Sequence, residues 1–253
     1  MEWFPIGCLQ AQRSQGRTRA ILILGLGFIS GCARAPVQPS ERQNSDQVLA
    51  EICSVGSGIR SVEGSVWMKA KSKDTSGQFP AQVHAEGQDE LRLVVTNLLG
   101  GTEAVLTLKG ERYSIEVPNR PDQTQSGDSS WGGIPLRWAQ ILFLGKFPCP
   151  DLKRITQLNP QWLTDGGLRV DTPDELGHPS ETFIYRIKNV AGRAWSEAMR
   201  WERRGVAGSP VAWVEFKFED PDSNTRSPKK WEARSEVGEV RVKWKDRQSA
   251  LLR

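Results

Sequence analysis

From Val62 onward the apolar residues of this chain recur at every second position instead of at helical spacing. Val62, Gly64, Val66 and Met68 alternate with mostly polar partners, followed by Phe79, Ala81, Val83 and Ala85, then Leu91, Leu93 and Val95, Leu106 and Leu108, and Tyr113, Ile115 and Val117. A period of two sends successive side chains to opposite faces of an extended chain, so each run reads as a strand with one apolar face. The rhythm returns at Phe183, Tyr185 and Ile187; Ala194 to Trp201; Ala212, Val214, Phe216 and Phe218; Trp231 and Ala233; and Val240, Val242 and Trp244. Gly, Asp and Asn turns separate the runs. The expectation is a mainly β protein, a curved antiparallel sheet or incomplete antiparallel β-barrel of about ten or eleven strands with few helices.

Two segments break the rhythm with helical spacing. Asp46 to Ile52 places Val48, Leu49 and Ile52 on one stripe, with Ser45 or Asp46 available as N-cap and Gly56 and Gly58 beyond its end. Ile134 to Gly145 (IPLRWAQILFLG) is apolar around most of its circumference, with Pro135 suited to a first helical turn and Gly145 to a C-terminal cap. Such a helix is buried on more than one side, either as a plain core helix or as a plug or lid against the sheet. The polar stretch Arg120 to Gly132 reads as a loop, and Phe147 to Ser180 reads as mostly irregular with one extended piece, Gly167 to Asp171.

The amino terminus sets the compartment. Arg13, Arg17 and Arg19 precede an 11-residue apolar run, Ala20 to Ser30, too short for the roughly 20 residues of a membrane-spanning helix but suited to a secretory signal. The run ends in Ile29-Ser30-Gly31-Cys32, which resembles a bacterial lipobox: an aliphatic residue, two small residues and a cysteine whose thiol can be acylated. The expected organisation is a lipoprotein signal peptide over 1–31, a flexible tether over 32–45 starting at lipidated Cys32, and a folded domain over 46–253. Ala33, not Asp, follows the cysteine, and the resemblance to the enteric sorting rule implies the periplasmic face of the outer membrane.

The net charge of +4 is modest, and half of it leaves with the first 31 residues, which hold three arginines and one glutamate. No dense Lys/Arg run is present to track a phosphate backbone, so a nucleic-acid partner is not expected. Cys53 and Cys149 remain in the mature chain, either as a disulfide in an oxidising compartment or as two buried thiols. His84 and His178 lie far apart without metal-ligand spacing, His84 on the polar side of a strand and His178 in a loop, and no nucleophile elbow, phosphate-binding loop or dinucleotide fingerprint occurs. No catalytic residue, metal or cofactor is assigned, and a binding module fits better than an enzyme.

Leu91 to Leu106 (LRLVVTNLLGGTEAVL) resembles the hairpin of the outer-membrane lipoprotein receptor LolB family, with Thr96, Asn97, Leu99, Gly100, Thr102 and Glu103 at the positions of its pattern. Ile134-Pro135-Leu136 followed by Leu144-Gly145 resembles the family's helix. Leu98 replaces the family's proline, and Leu142 stands where a tryptophan is usual. The resemblance covers Ser45 to Pro148; beyond it only the strand rhythm agrees. It implies a barrel wrapped around a hydrophobic cavity covered by helices, a monomer that takes acylated lipoproteins from a LolA-like periplasmic carrier and delivers them to outer-membrane phospholipid. An anchored lipid- or glycolipid-binding lipoprotein of the same fold with a different cargo is the alternative.

The resemblance also implies roles for residues. Leu98, Leu99, Gly100 and Gly101 form the membrane-insertion loop, although a leucine there can equally fold back onto the barrel. Val66, Met68, Phe79, Ala81, Val83, Leu93, Val95, Leu106, Leu136, Leu142 and Phe143 are the cavity candidates, with ordinary core packing as the competing role, because a period of two does not say which face is inward.

Overall fold

Asn44 opens the first helix. Its side chain accepts from the Asp46 amide at 3.0 Å, so Asn44, and neither Ser45 nor Asp46, is the N-cap of α1 (Ser45–Cys53). Val48, Leu49 and Ile52 are buried along one stripe, as the spacing requires. The computed structural model describes residues 44–251 apart from 74–75, 88, 129, 132, 152–157, 174–178 and 204–211; the expected signal peptide, the expected tether up to residue 43 with Cys32, and His178 lie outside the described residues.

Strands β1 (Ile59–Ser72), β2 (Ser76–Glu86), β3 (Glu90–Thr96), β4 (Thr102–Lys109) and β5 (Arg112–Glu116) follow as a meander. A 3₁₀ turn (Pro121–Gln123), β6 (Gln125–Asp128) and a small ribbon of β7 (Ser130–Trp131) with β8 (Ile134–Pro135) lead into α2 (Leu136–Phe143). The second half is β9 (Gln161–Trp162), β10 (Leu168–Pro173), β11 (Pro179–Val190), β12 (Arg193–Arg203), β13 (Ala212–Pro221), β14 (Pro228–Ser235) and β15 (Gly238–Leu251). Fifteen described strands exceed the expected ten or eleven, because the short β6 and β9 pair at the margins of the main sheet and β7 and β8 make a ribbon of their own. A two- to four-residue edge strand is too short to show a period in sequence.

Thirteen strands make one antiparallel sheet in the order β6-β5-β4-β3-β2-β1-β15-β14-β13-β12-β11-β10-β9. The two halves join where β1 pairs with β15, Met68 opposite Val242. β6 and β9 remain as free edges, so the barrel is open. Register shifts at Ser65/Val66 and at Arg186/Ile187 mark bulges in the long strands, the usual means of bending a sheet.

One face of this curved sheet is predominantly apolar. The alternating residues of β1 to β4 and β10 to β15 merge with α1 and α2 into a single cluster of buried side chains. The Glu41–Arg253 unit therefore carries the whole described core, together with its own disulfide between Cys53 and Cys149, whose Cα atoms are 6.0 Å apart.

Helix α2 lies on the concave face. Trp138 meets Phe183 of β11 and Trp201 of β12 edge to face, while Phe143 meets Trp231 of β14 and Trp244 of β15 in the same manner. Pro135 is not in the first turn: it holds the extended N-cap position at ψ 133° and belongs to β8. At the other end Gly145, at φ +75°, completes a Schellman motif in which its amide donates to the Leu142 carbonyl and that of Lys146 to Ile141. A side chain at Gly145 would overlap the Arg247 guanidinium.

Candidate functional site

All eleven cavity candidates face the concave side. Val66, Met68, Ala81, Val83, Leu93, Leu106, Leu136, Leu142 and Phe143 are buried, and Phe79 and Val95 are partly buried against them. They form one packed core with α2 inside the concavity, and Phe79 reaches open space at its edge. It lines a partly open cavity of about 400 Å³ with Ala70, Gly77, Ile134, Val237 and Val240. That volume falls in the range of small-molecule pockets, and its wall is largely apolar.

Topology places this mouth at one end of the sheet. Ser72 of β1 lies opposite Gly238 of β15, and Lys71 lies opposite Ser76 of β2, so the β1–β2 and β14–β15 connections flank the opening. Strand β3 runs antiparallel to β2 with Val95 opposite Ala81, which brings the Asn97–Gly101 turn out at the same end.

That turn presents two leucines to solvent: Leu98 is 84% exposed and Leu99 96%. Neither folds back onto the sheet. Full burial of a leucine is worth about 1.5–3 kcal/mol, so the pair forgoes several kcal/mol unless something covers it. The turn is pinned from within by Asn97. Its Oδ1 accepts from the amides of Leu99 at 3.0 Å and Gly101 at 2.8 Å, and its Nδ2 donates to Glu103 Oε1 at 2.9 Å. Gly100, at φ +88°, supplies the left-handed residue that closes a three-residue hairpin loop. A Cβ at Gly101 would stand 2.9 Å from Asn97 Nδ2, so this glycine admits the clamp. The amide network takes the place of the ring stiffness that a proline at position 98 would give.

Val237 is also 52% exposed, at the tip of the β14–β15 hairpin beside the mouth. Sequence reasoning passed over Val237, Ile134 and the Asn97–Glu103 clamp. An apolar residue in the two-residue connection Glu236-Val237 was a readable signal, since such turns favour polar residues and glycine. The clamp was half readable, because Asn two residues before a turn amide is the Asx pattern.

The opposite end of α2 is fixed. Arg247 Nη2 donates to the Leu144 carbonyl at 2.9 Å, a cation on the negative end of the helix. Burial pulls the Arg247 guanidinium down to about 10, against the opposing pull of Asp222. Just beyond, the disulfide ties Cys149 to α1, and the buried Tyr185 hydroxyl, its pKa raised by burial, donates to the Pro148 carbonyl at 3.1 Å. The N-terminal end of α2 is joined to the small ribbon beside the mouth, where Ile134 lines the cavity. Around α2 the indole N–H groups of Trp138, Trp201, Trp231 and Trp244 are buried without a hydrogen-bond partner, so this core is apolar packing with four donors to spare. His84 stands on the outer face, its Nδ1 2.8 Å from Glu63 Oε1.

No protein-family profile and no curated protein matches the chain. Among solved structures it is similar to a LolA-superfamily protein from Nitrosomonas europaea, at 13% identity over 83% of this chain and 96% of that one, with a TM-score of 0.47. A putative outer-membrane lipoprotein-sorting protein domain from Vibrio parahaemolyticus is similar at 8% identity over 81% and 93% of the two chains, TM-score 0.45. The Mycobacterium tuberculosis lipoprotein LppX is similar at 10% identity over 79% and 92%, TM-score 0.33. At such identities the functional reading rests on the chain's own residues.

Proposed function

We propose that this protein is a receptor and insertion factor for acylated lipoproteins, anchored through Cys32 to the periplasmic face of the outer membrane. It accepts acyl chains from a soluble LolA-like carrier and releases them into the inner leaflet. The observation that carries the reading is the pair Leu98 and Leu99, held almost fully exposed on a pinned turn at the same end of the sheet as the mouth of the apolar cavity. Both halves of a transfer device are then adjacent: an apolar site for the chains and an apolar tip for the bilayer.

Each methylene left in water costs about 0.8 kcal/mol, so acyl chains crossing an aqueous gap need a continuous apolar surface. The mouth supplies its beginning, and the concave core behind it supplies the rest once the N-terminal end of α2 yields and Arg137 parts from Glu181. The fixed C-terminal end keeps α2 attached while it does so. Transfer needs only graded affinity: tighter than the carrier, weaker than the bilayer. No covalent step, metal or cofactor enters.

The test is delivery. A purified carrier loaded with an acylated lipoprotein is mixed with the receptor and phospholipid vesicles, and cargo on the vesicles is scored for wild type and Leu99→Glu. Wild type delivers; Leu99→Glu takes cargo from the carrier and fails to release it, with delivery down at least tenfold. Delivery unchanged in Leu99→Glu defeats the tip's role. Absence of uptake by wild type defeats the receptor reading and directs attention to a different amphiphile.

A further inference from the structure

The outer face of the sheet, near the same end as the tip and the mouth, carries a shallow groove of about 330 Å³ lined by Trp67, Lys69, Gln78, Lys230, Arg241 and Lys243. The register assembles it from neighbouring strands: Trp67 lies opposite Lys243, Lys69 opposite both Gln78 and Arg241, and Lys243 opposite Lys230. Lys245 belongs to the same patch, its ammonium 5.3 Å from the centre of the Trp67 ring. Lys71, one alternation further along β1, is exposed on the same face.

The carboxylates of this region are already engaged. Glu232 and Glu239 both bind Arg241, and Glu219 binds Lys230. Lys69, Lys71 and Lys243 have no ion-pair partner among the described residues, which leaves an uncompensated positive patch beside a half-buried indole. Elsewhere on this face Arg200 pairs with Glu202 and Glu215, and Arg169 with Asp171. Lys69 sits three residues from the end of β1, about 10 Å along the strand and so about one Debye length from any surface touched by the strand ends.

We propose that this groove docks the anionic headgroups of a phospholipid surface, with Lys69, Lys243 and Lys245 facing phosphates and Trp67 lying at the headgroup level. The occupant follows from charge complementarity and from continuity with the exposed leucine tip. Lysines near an anionic bilayer each contribute about 1 kcal/mol, and an aromatic ring with one wet edge suits the interface. The inference rests on the membrane-delivery reading in that the groove orients a molecule whose tip enters lipid. It adds that the receiving lipid is anionic.

The experiment measures binding of the Glu41–Arg253 unit, which carries the described core and disulfide, to phosphatidylcholine vesicles and to vesicles containing phosphatidylglycerol. Wild type binds the phosphatidylglycerol vesicles at least tenfold more tightly at low salt, and high salt removes the difference. The triple variant Lys69→Gln, Lys243→Gln, Lys245→Gln loses most of that ratio with its melting temperature unchanged, and the corresponding Lys→Arg variant keeps it. Leu99→Ser, which adds no charge, weakens binding to both vesicle types equally and leaves the ratio intact, so failure of the tip and failure of the groove are separately visible. Equal binding to the two vesicle types by wild type, or a ratio unchanged in the triple variant, overturns the proposal. So does a triple variant whose only defect is loss of binding to an acidic carrier protein.

Discussion

Asn97 shows how one side chain can replace a backbone constraint. Its carboxamide satisfies two turn amides and reaches Glu103, so Leu98 and Leu99 are presented on a stiff support although position 98 is not proline. Each such hydrogen bond is worth about 1 kcal/mol net, and preorganisation lowers the entropy lost when the tip enters lipid. Asn97→Ala is therefore expected to leave cargo uptake intact and to lower delivery to vesicles by several-fold, less than Leu99→Glu does. Delivery kinetics of the two variants side by side check this ordering. The motif positions were visible in the sequence, but the clamp depends on Gly101 leaving room for the side chain, which is a matter of three-dimensional approach.

Among the elements, α2 carries the largest consequences. Its apolar circumference announced burial on several sides: Trp138 and Phe143 are buried against β11, β12, β14 and β15 of the second half, while Gln140 donates to the Asp89 and Gly110 carbonyls of the first. What its sequence did not announce is how its two ends are attached: Arg247, Gly145 and the disulfide gather at one end, and at the other a two-stranded ribbon leads in and Arg137 pairs with Glu181 of β11. The disulfide closes a loop with a sequence separation of 96 residues, for which the chain-entropy model gives about 4–5 kcal/mol. Removing it by Cys53→Ser together with Cys149→Ser should lower unfolding stability by about 2–5 kcal/mol, read as a shift of the urea midpoint. The double variant should also release cargo more readily, since α2 loses part of its anchor.

At the scale of the whole molecule, acid stability depends on a turn far from the tip in sequence. Burial raises the Asp222 carboxyl, but the amides of Thr225 and Asn224, the Lys229 ammonium and the Thr225 hydroxyl outweigh it and hold the group at about 2, below its ordinary 3.8. The folded state thus binds this proton less readily than the unfolded chain. Its contribution is fully present above about pH 4 and is lost as the pH falls toward 2. Thermal melts across that window should show wild type losing stability faster than Asp222→Asn, which starts lower at neutral pH because Lys229, 3.2 Å away, loses its charge partner. An identical slope for the two proteins refutes the assignment.

The sequence by itself determined the strand rhythm, the two helices and the location of an apolar turn. These are local or periodic properties, written in the spacing of Val62 to Met68, in the stripe of Val48, Leu49 and Ile52, and in the pair Leu98-Leu99 between glycine and asparagine. Only the tertiary structure decided which face is inward, that β1 and β15 join the halves, that Cys53 pairs with Cys149, and that the concavity holds α2 with a partly open cavity at its mouth. The same holds for the lysine groove, whose members are up to 178 positions apart in sequence, from Trp67 to Lys245. Pairing between distant strands, helix docking and the matching of charges across a sheet depend on contacts whose partners carry no mark in one another's neighbourhood, so a period of two fixes a strand and leaves its neighbours to the fold.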